Sequence, residues 1–126
     1  MGSPVKKPTI VLADDHPGNL DRISRILGDE FEILAEVADG VAAFDRALEL
    51  QPDILILDLA MPKMNGIQTG RELRKRGFTP AILFLTIHAD ADYLQAMAEI
   101  GAGYVSKIRM QAELVPAVRA ELRKRP

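Results

Sequence analysis

Five polar side chains stand at the ends of short apolar runs of the sequence: Asp14, Asp15, Asp58, Thr86 and Lys107. Three carboxylates gathered at one edge of a sheet repel one another, and each close pair costs about 4 kcal/mol at an effective dielectric constant of about 20. A hard divalent cation such as Mg²⁺ relieves this repulsion, because it accepts a few carboxylates together with water and a phosphate oxygen. An ionised carboxylate beside such a cation, with a lysine and a hydroxyl nearby, attacks phosphorus as a nucleophile. The pattern therefore predicts phosphoryl transfer to an aspartate.

Each of these residues also has an ordinary structural interpretation. An aspartate at the end of a strand usually forms a turn or caps a helix. Lys107 is compatible with a solvated side chain, and Thr86 with an ordinary strand residue. The combination favours the chemical interpretation, because four separate strand ends supply Asp-Asp, Asp, Thr and Lys, which capping alone does not explain.

The elements that position these residues alternate along the chain. Apolar runs predict five strands: Thr9–Ala13, Phe31–Val37, Asp53–Asp58, Ala81–Thr86 and Gly103–Ser106. Helical spacing and capping residues predict a helix after each strand: near Leu20 to Gly28, Asp39 to Gln51, Asn65 to Gly77, Asp90 to Ile100 and Gln111 to Lys124. Five consecutive βα units predict an α/β fold with a doubly wound parallel five-stranded sheet and helices on both faces. Ligands of such folds bind beyond the carboxyl ends of the strands.

The composition bounds the class of protein. The 126 residues predict one domain, and a formal net charge of -2 argues against a nucleic-acid surface within this segment. Cysteine is absent, which excludes disulfides, thiolate metal sites and cysteine nucleophiles. No apolar run approaches the roughly 18 residues that a membrane-spanning helix needs, so we expect a cytoplasmic protein without membrane contact. Residues 1–8 are interpreted as a flexible leader and residues 9–126 as the domain.

Four segments in a fixed order resemble the receiver (CheY-like) domain of bacterial two-component response regulators over residues 9–125: Ala13–His16, Asp58–Gly66, Leu85–Thr86 and Gly101–Lys107. The first and last segments are most similar to the subfamily that carries a LuxR/NarL-type helix-turn-helix output domain. This resemblance implies a flavodoxin-like sheet with strand order 2-1-3-4-5. It also implies a phosphorelay switch that a sensor histidine kinase phosphorylates and that controls transcription through a DNA-binding output domain outside this chain.

The resemblance further implies which residues bind the phosphoryl group and the metal. Asp58 is the expected phosphoacceptor. Asp15 is the expected main Mg²⁺ ligand, and Asp58 also binds the cation. Asp14 is expected to bind it mostly through water, and Ala60 through its backbone carbonyl. The expected cofactor is thus Mg²⁺, held at the phosphorylation site itself.

A second set of roles concerns the switch. Thr86 is expected to bond a phosphoryl oxygen and Lys107 to pair with the phosphoryl group, while Tyr104 swings inward when Thr86 moves. The sequence departs from the family at two places. Ile108 follows Lys107 where many receivers have a cis proline, which predicts a trans bond there, and Ile87 follows Thr86 where a small residue is common.

Three alternatives stay open on the sequence alone. A Mg²⁺-dependent phosphohydrolase also uses an aspartyl nucleophile, although that class usually places it in an Asp-x-Asp arrangement after the first strand, which Asp14-Asp15-His16 does not supply. A degenerate receiver would act only as an interaction module. A stand-alone receiver would signal through protein contacts alone. The favoured reading is a switch without metabolic turnover, with homodimerisation on phosphorylation as a further expectation.

Overall fold

Strands and helices alternate through the chain in a computed structural model that describes residues 6–124. The five strands are β1 (Thr9–Ala13), β2 (Glu32–Val37), β3 (Ile54–Asp58), β4 (Ala81–Thr86) and β5 (Gly103–Ser106). The five α-helices are α1 (Pro17–Leu27), α2 (Gly40–Leu50), α3 (Gly66–Lys75), α4 (Ala91–Ile100) and α5 (Met110–Arg123). Short 3₁₀ turns cover Gly28–Glu30 and Lys107–Arg109. The interpretation of residues 1–8 as a leader falls largely on residues 1–5, which lie outside the described part, as do residues 125 and 126.

All paired strands run parallel, in the order β2-β1-β3-β4-β5. This confirms the predicted α/β fold and the strand order that the resemblance implied. Every residue of β3 and β4 is buried, because both faces of the central strands are covered by helices. Within the described residues, no helix is long and apolar enough to cross a bilayer.

Two hydrophobic clusters hold the layers together, one on each face of the sheet. Leu55 and Leu57 of β3 face a cluster completed by α2, α3 and α4. Ile54 and Ile56, which alternate with them, face the cluster formed with α1 and α5. Side chains of a strand point alternately to opposite faces, so the unbroken apolar sequence of β3 serves both cores.

Capping residues fix where the helices begin. Asp39 and Asp90 accept hydrogen bonds from the first turns of α2 and α4. Asn65 and Gln68 form the predicted capping box at α3, with both reciprocal hydrogen bonds present. The predicted start of β3 at Asp53 is one residue early, since the strand begins at Ile54, and the Asp53 carboxylate before it accepts the Thr9 backbone N–H at 2.8 Å.

Candidate functional site

The carboxyl ends of the strands bring the predicted site residues to one edge of the sheet. Asp14 follows β1, and Asp58 is the last residue of the neighbouring strand β3. Thr86 ends β4 on the other side of β3, and Lys107 follows β5. Because all strands are parallel, residues up to 93 positions apart in the sequence meet at this edge of the sheet, which we call the rim.

Lys107 joins the two buried carboxylates of the site. Its Nζ lies 3.0 Å from Asp58 Oδ2 and 3.2 Å from Asp14 Oδ2. Asp14 is fully buried and Asp58 almost so, and only 14% of the Lys107 side chain is exposed. The ammonium therefore supplies a positive charge to two anions that solvent reaches poorly.

Asp14, Asp15 and Asp58 form an oxygen-rich cluster. One carboxylate oxygen from each lies within 4.8 Å of the others, and Asp15 is the exposed member that faces solvent. Hard divalent cations such as Mg²⁺ take carboxylate oxygens and keep several waters. The donor set fits such a cation, which would enter from the solvent side past Asp15.

Burial and neighbouring charges shift two pKa values in this cluster. Burial raises the pKa of Asp58 above its usual 3.8, an effect that Lys107 opposes and that the charge of Asp14 reinforces. Burial alone would lower the pKa of Lys107, but its hydrogen bonds and ion pairs with Asp58 and Asp14 outweigh it and raise that pKa above 10.5. Lys107 is consequently a cation at neutral pH.

The sequence pattern of the family described as "Response regulator receiver domain" matches residues 10–119. This chain belongs to the response regulator receiver domains. Among curated proteins, the receiver domain is 37% identical over 112 residues to the DNA-binding transcriptional activator EvgA of Escherichia coli, covering 87% of this chain and 55% of EvgA. It is 40% identical over 114 residues to the oxygen regulatory protein NreC of Staphylococcus epidermidis, covering 87% of this chain and 52% of NreC. The chain thus spans about half the length of these relatives.

Solved structures show the same architecture. The receiver domain superposes with a TM-score of 0.88 on a two-component response regulator of the LuxR family from Aurantimonas sp., at 34% identity, covering 95% of this chain and 88% of that one. It superposes with a TM-score of 0.84 on a LuxR-family DNA-binding response regulator from Staphylococcus aureus, at 27% identity, covering 91% and 98%. The relatives are therefore LuxR/NarL-type regulators, as the first and last motifs indicated.

The resemblance singled out three further residues of the receiver domain. Ala60 donates its backbone N–H to Asp58 Oδ1 at 3.2 Å. The Thr86 hydroxyl donates to the His88 carbonyl at 2.8 Å and accepts the His88 N–H at 3.1 Å. Tyr104 lies on β5 with 48% of its surface exposed. The metal, phosphoryl and switch roles of these residues stay predictions, while Ala60 and Thr86 line the same cavity as Asp58.

The loop between β3 and α3 packs against the start of α2. A Cβ at Gly66 would lie 2.5 Å from the Asp58 carbonyl oxygen, and a Cβ at Gly40 would overlap the carbonyl of Met64. Lys63 adopts a left-handed backbone with φ of 69° and pairs with Asp39 at 3.5 Å. Glycine at these two positions thus lets the loop pass close to the backbone of Asp58 and to the start of α2.

A cavity of about 730 Å³ opens beside Asp58, between the loops that follow β3 and β4. Among the residues that line it are Asp15, Asp58, Met61, Pro62, Thr86 and Ile87. Ile87 is 72% exposed at its mouth, and Ile108 beyond Lys107 is 78% exposed. The described residues contain no cis peptide bond, so the bond after Lys107 is trans, as the replacement of proline by Ile108 predicted.

Two donors to Asp14 were not identified from the sequence. The His16 backbone N–H donates to Asp14 Oδ1 at 2.9 Å, and the Asn19 side-chain amide donates to Asp14 Oδ2 at 3.4 Å. His16 acts here through its backbone N–H, just before the start of α1. The signal that could have revealed Asn19 is a polar amide in the first helical turn after the acidic pair.

Proposed function

We propose that this receiver domain accepts a phosphoryl group on Asp58 from the phosphohistidine of a sensor histidine kinase, in a Mg²⁺-dependent in-line transfer. The observation that carries the proposal is the placement of Asp58, buried at the end of the central strand, 3.0 Å from Lys107 and within 4.8 Å of two further carboxylates. A purely structural aspartate does not need this many charged neighbours in a poorly solvated place.

The residues of the site have different roles in the proposed transfer. An Asp58 carboxylate oxygen forms the new bond to phosphorus, and the phosphorus–nitrogen bond of the donor imidazole breaks with its electron pair leaving on nitrogen. Asp14, Asp15, Asp58 and the Ala60 carbonyl would hold Mg²⁺, which when bound neutralises carboxylate and phosphoryl charge. Lys107, already charged, stabilises the negative charge on the transferred oxygens.

Phosphorylation then changes the electrostatics of the rim. The phosphoryl group brings a charge of about -1.5 to -2 and three strong hydrogen-bond acceptors. Lys107 and the Thr86 hydroxyl are side-chain donors of this edge of the sheet that can turn toward it, and Thr86 must give up its bond to the His88 carbonyl to do so. Movement of the segment after β4 makes room for Tyr104, whose side chain is half exposed before the change.

The output of this switch is proposed to be transcription. EvgA is a DNA-binding transcriptional activator, and the chain matches about half of it. We propose that a helix-turn-helix output domain acts on DNA in the full-length protein, in the cytoplasm, with homodimerisation on phosphorylation. A stand-alone receiver that signals by protein contacts is the alternative. The domain is proposed to turn over no metabolite.

The test is the intact mass of the domain after incubation with acetyl phosphate. We expect a gain of one phosphoryl group in the presence of Mg²⁺, and no gain with a chelator or in Asp58→Asn. The matched control is Asp53→Asn, just before the opposite end of β3, which should be phosphorylated like the wild type. Undiminished phosphorylation of Asp58→Asn would refute the assignment, and steady phosphate release from a phosphomonoester would favour the phosphohydrolase instead.

A further inference from the structure

Asn19 places a neutral hydrogen-bond donor on the most buried carboxylate of the site. It lies in the first turn of α1, five positions after Asp14, where its backbone N–H is already satisfied by the His16 carbonyl at 3.0 Å. Its side-chain amide turns back toward the end of β1, and Nδ2 lies 3.4 Å from Asp14 Oδ2. No described residue other than Lys107 donates to this same oxygen.

The three donors to Asp14 differ in charge. Lys107 contacts Oδ2 as a cation at 3.2 Å, whereas the His16 N–H on Oδ1 and the Asn19 amide on Oδ2 are neutral. Asp14 is fully buried, and a buried carboxylate without partners is strongly unfavourable. The orientation of the side chain thus depends on these donors.

A second positive charge nearby disturbs the neutral donors to Asp14 less than it disturbs Lys107. A divalent cation at Asp14, Asp15 and Asp58 repels the Lys107 ammonium, because both are positive and compete for the same carboxylate oxygens. The Asn19 amide is not repelled, and a carboxylate oxygen has two lone pairs, so Oδ2 accepts the amide while its other lone pair faces the cation or a bound water. As Lys107 turns away, Asn19 is the side-chain donor that remains on Oδ2.

We propose that Asn19 is a positioning residue of the cation site, which holds the Asp14 carboxylate in its metal-binding orientation when Lys107 leaves it. This inference rests on the proposed Mg²⁺ site and adds to it a residue outside the acidic cluster. Hydrogen bonds from outside the ligand set to ligating groups typically change metal affinity by about 10- to 100-fold. At 3.4 Å the bond is long, so we expect a smaller effect, about three- to tenfold.

The test compares Mg²⁺ affinities of wild type, Asn19→Leu and Asn19→Ala by the rise of the thermal unfolding midpoint with Mg²⁺ concentration. Leucine has nearly the shape of asparagine and lacks the donor, while alanine suits a helix and guards against a folding defect in the leucine variant. The control is Gln111→Leu, which removes an exposed amide from the first turn of α5 without altering the net charge. We expect weaker Mg²⁺ binding in both Asn19 variants and unchanged binding in Gln111→Leu.

The outcomes separate the two proposals. If wild type binds Mg²⁺ and both Asn19 variants bind it within twofold of wild type, or more tightly, the positioning role is wrong and the proposed function stands. If unfolding midpoints fall in the chelator while the Mg²⁺ affinity is unchanged, Asn19 only stabilises α1, which also overturns the inference. If wild type itself binds no Mg²⁺, the cation site fails and the role of Asn19 fails with it.

Discussion

Removal of the Lys107 ammonium is the most informative perturbation of this receiver domain. Lys107→Met keeps most of the length of the side chain but leaves Asp14 and Asp58 without their shared cation. At an effective dielectric constant of about 20, ion pairs of 3.0 and 3.2 Å are each worth about 5 kcal/mol of attraction. Burial of the ammonium also costs desolvation free energy, which is absent in the variant. This cost offsets a large part of the attraction between the charges.

The net effect expected for the cation-free protein is a loss of about 3–5 kcal/mol in the free energy of unfolding, as for other buried pairs that lose one partner. Urea unfolding followed by circular dichroism, with a chelator present, measures it. The control is Lys75→Met, which breaks an ion pair of 3.2 Å to Glu72 whose partners are 71% and 43% exposed. Such an exposed pair contributes roughly 0–1 kcal/mol.

Addition of Mg²⁺ provides the second half of the experiment. The cation replaces the missing positive charge, so millimolar Mg²⁺ should recover more stability in Lys107→Met than it adds to the wild type. A loss below 1 kcal/mol in the chelator, or one equal to that of Lys75→Met, would refute the electrostatic reasoning. Equal Mg²⁺ stabilisation of both proteins would show that the cation does not compensate for the missing ammonium.

Two further outcomes follow from the site. Because the pKa of Asp58 is raised in the folded protein, its ionised form opposes folding, and this cost is absent below pH 3.8 and grows as pH rises through the folded pKa. Asp58→Asn should therefore unfold at higher urea than wild type at neutral pH in a chelator, with a difference that disappears in acid; a difference independent of pH would contradict this. Gly40→Ala should lose about 1–3 kcal/mol, because the new methyl group overlaps the Met64 carbonyl. Gly18→Ala, in α1 with nothing near the added Cβ, should instead gain about 0.5–1 kcal/mol, and equal effects in urea unfolding would refute the close-approach argument.

Much of the fold was predictable because each local signal has one dominant cause. The buried apolar sequence of β3 cannot lie at an edge, and a cap such as Asn65 with Gln68 satisfies N–H groups that only a helix start leaves open. Once the strands are parallel, Asp14 and Asp58 must share a rim. At Asp53, one residue before β3, the sequence pattern did not show that the side chain bonds to Thr9, a contact 44 positions away.

The parts of the site that were not predictable are those that depend on which rotamer a side chain adopts. The sequence placed Lys107 at the rim, but its simultaneous contact with Asp14 and Asp58 depends on strand register and on the 3₁₀ turn after β5. The Asn19 amide lies on Asp14 only because α1 begins at Pro17. These contacts are set by tertiary packing, which single-residue patterns do not contain.

The paired hydrogen bonds between Thr86 and His88 have a consequence for how the segment after β4 behaves. A hydroxyl carries one proton, and in this receiver domain the proton of Thr86 points to the His88 carbonyl at 2.8 Å. Donation to any other acceptor withdraws it completely from that carbonyl. The hydroxyl can donate to only one of two acceptors. When Thr86 donates to an oxygen at Asp58, it no longer donates to the His88 carbonyl, so the present turn at His88 opens.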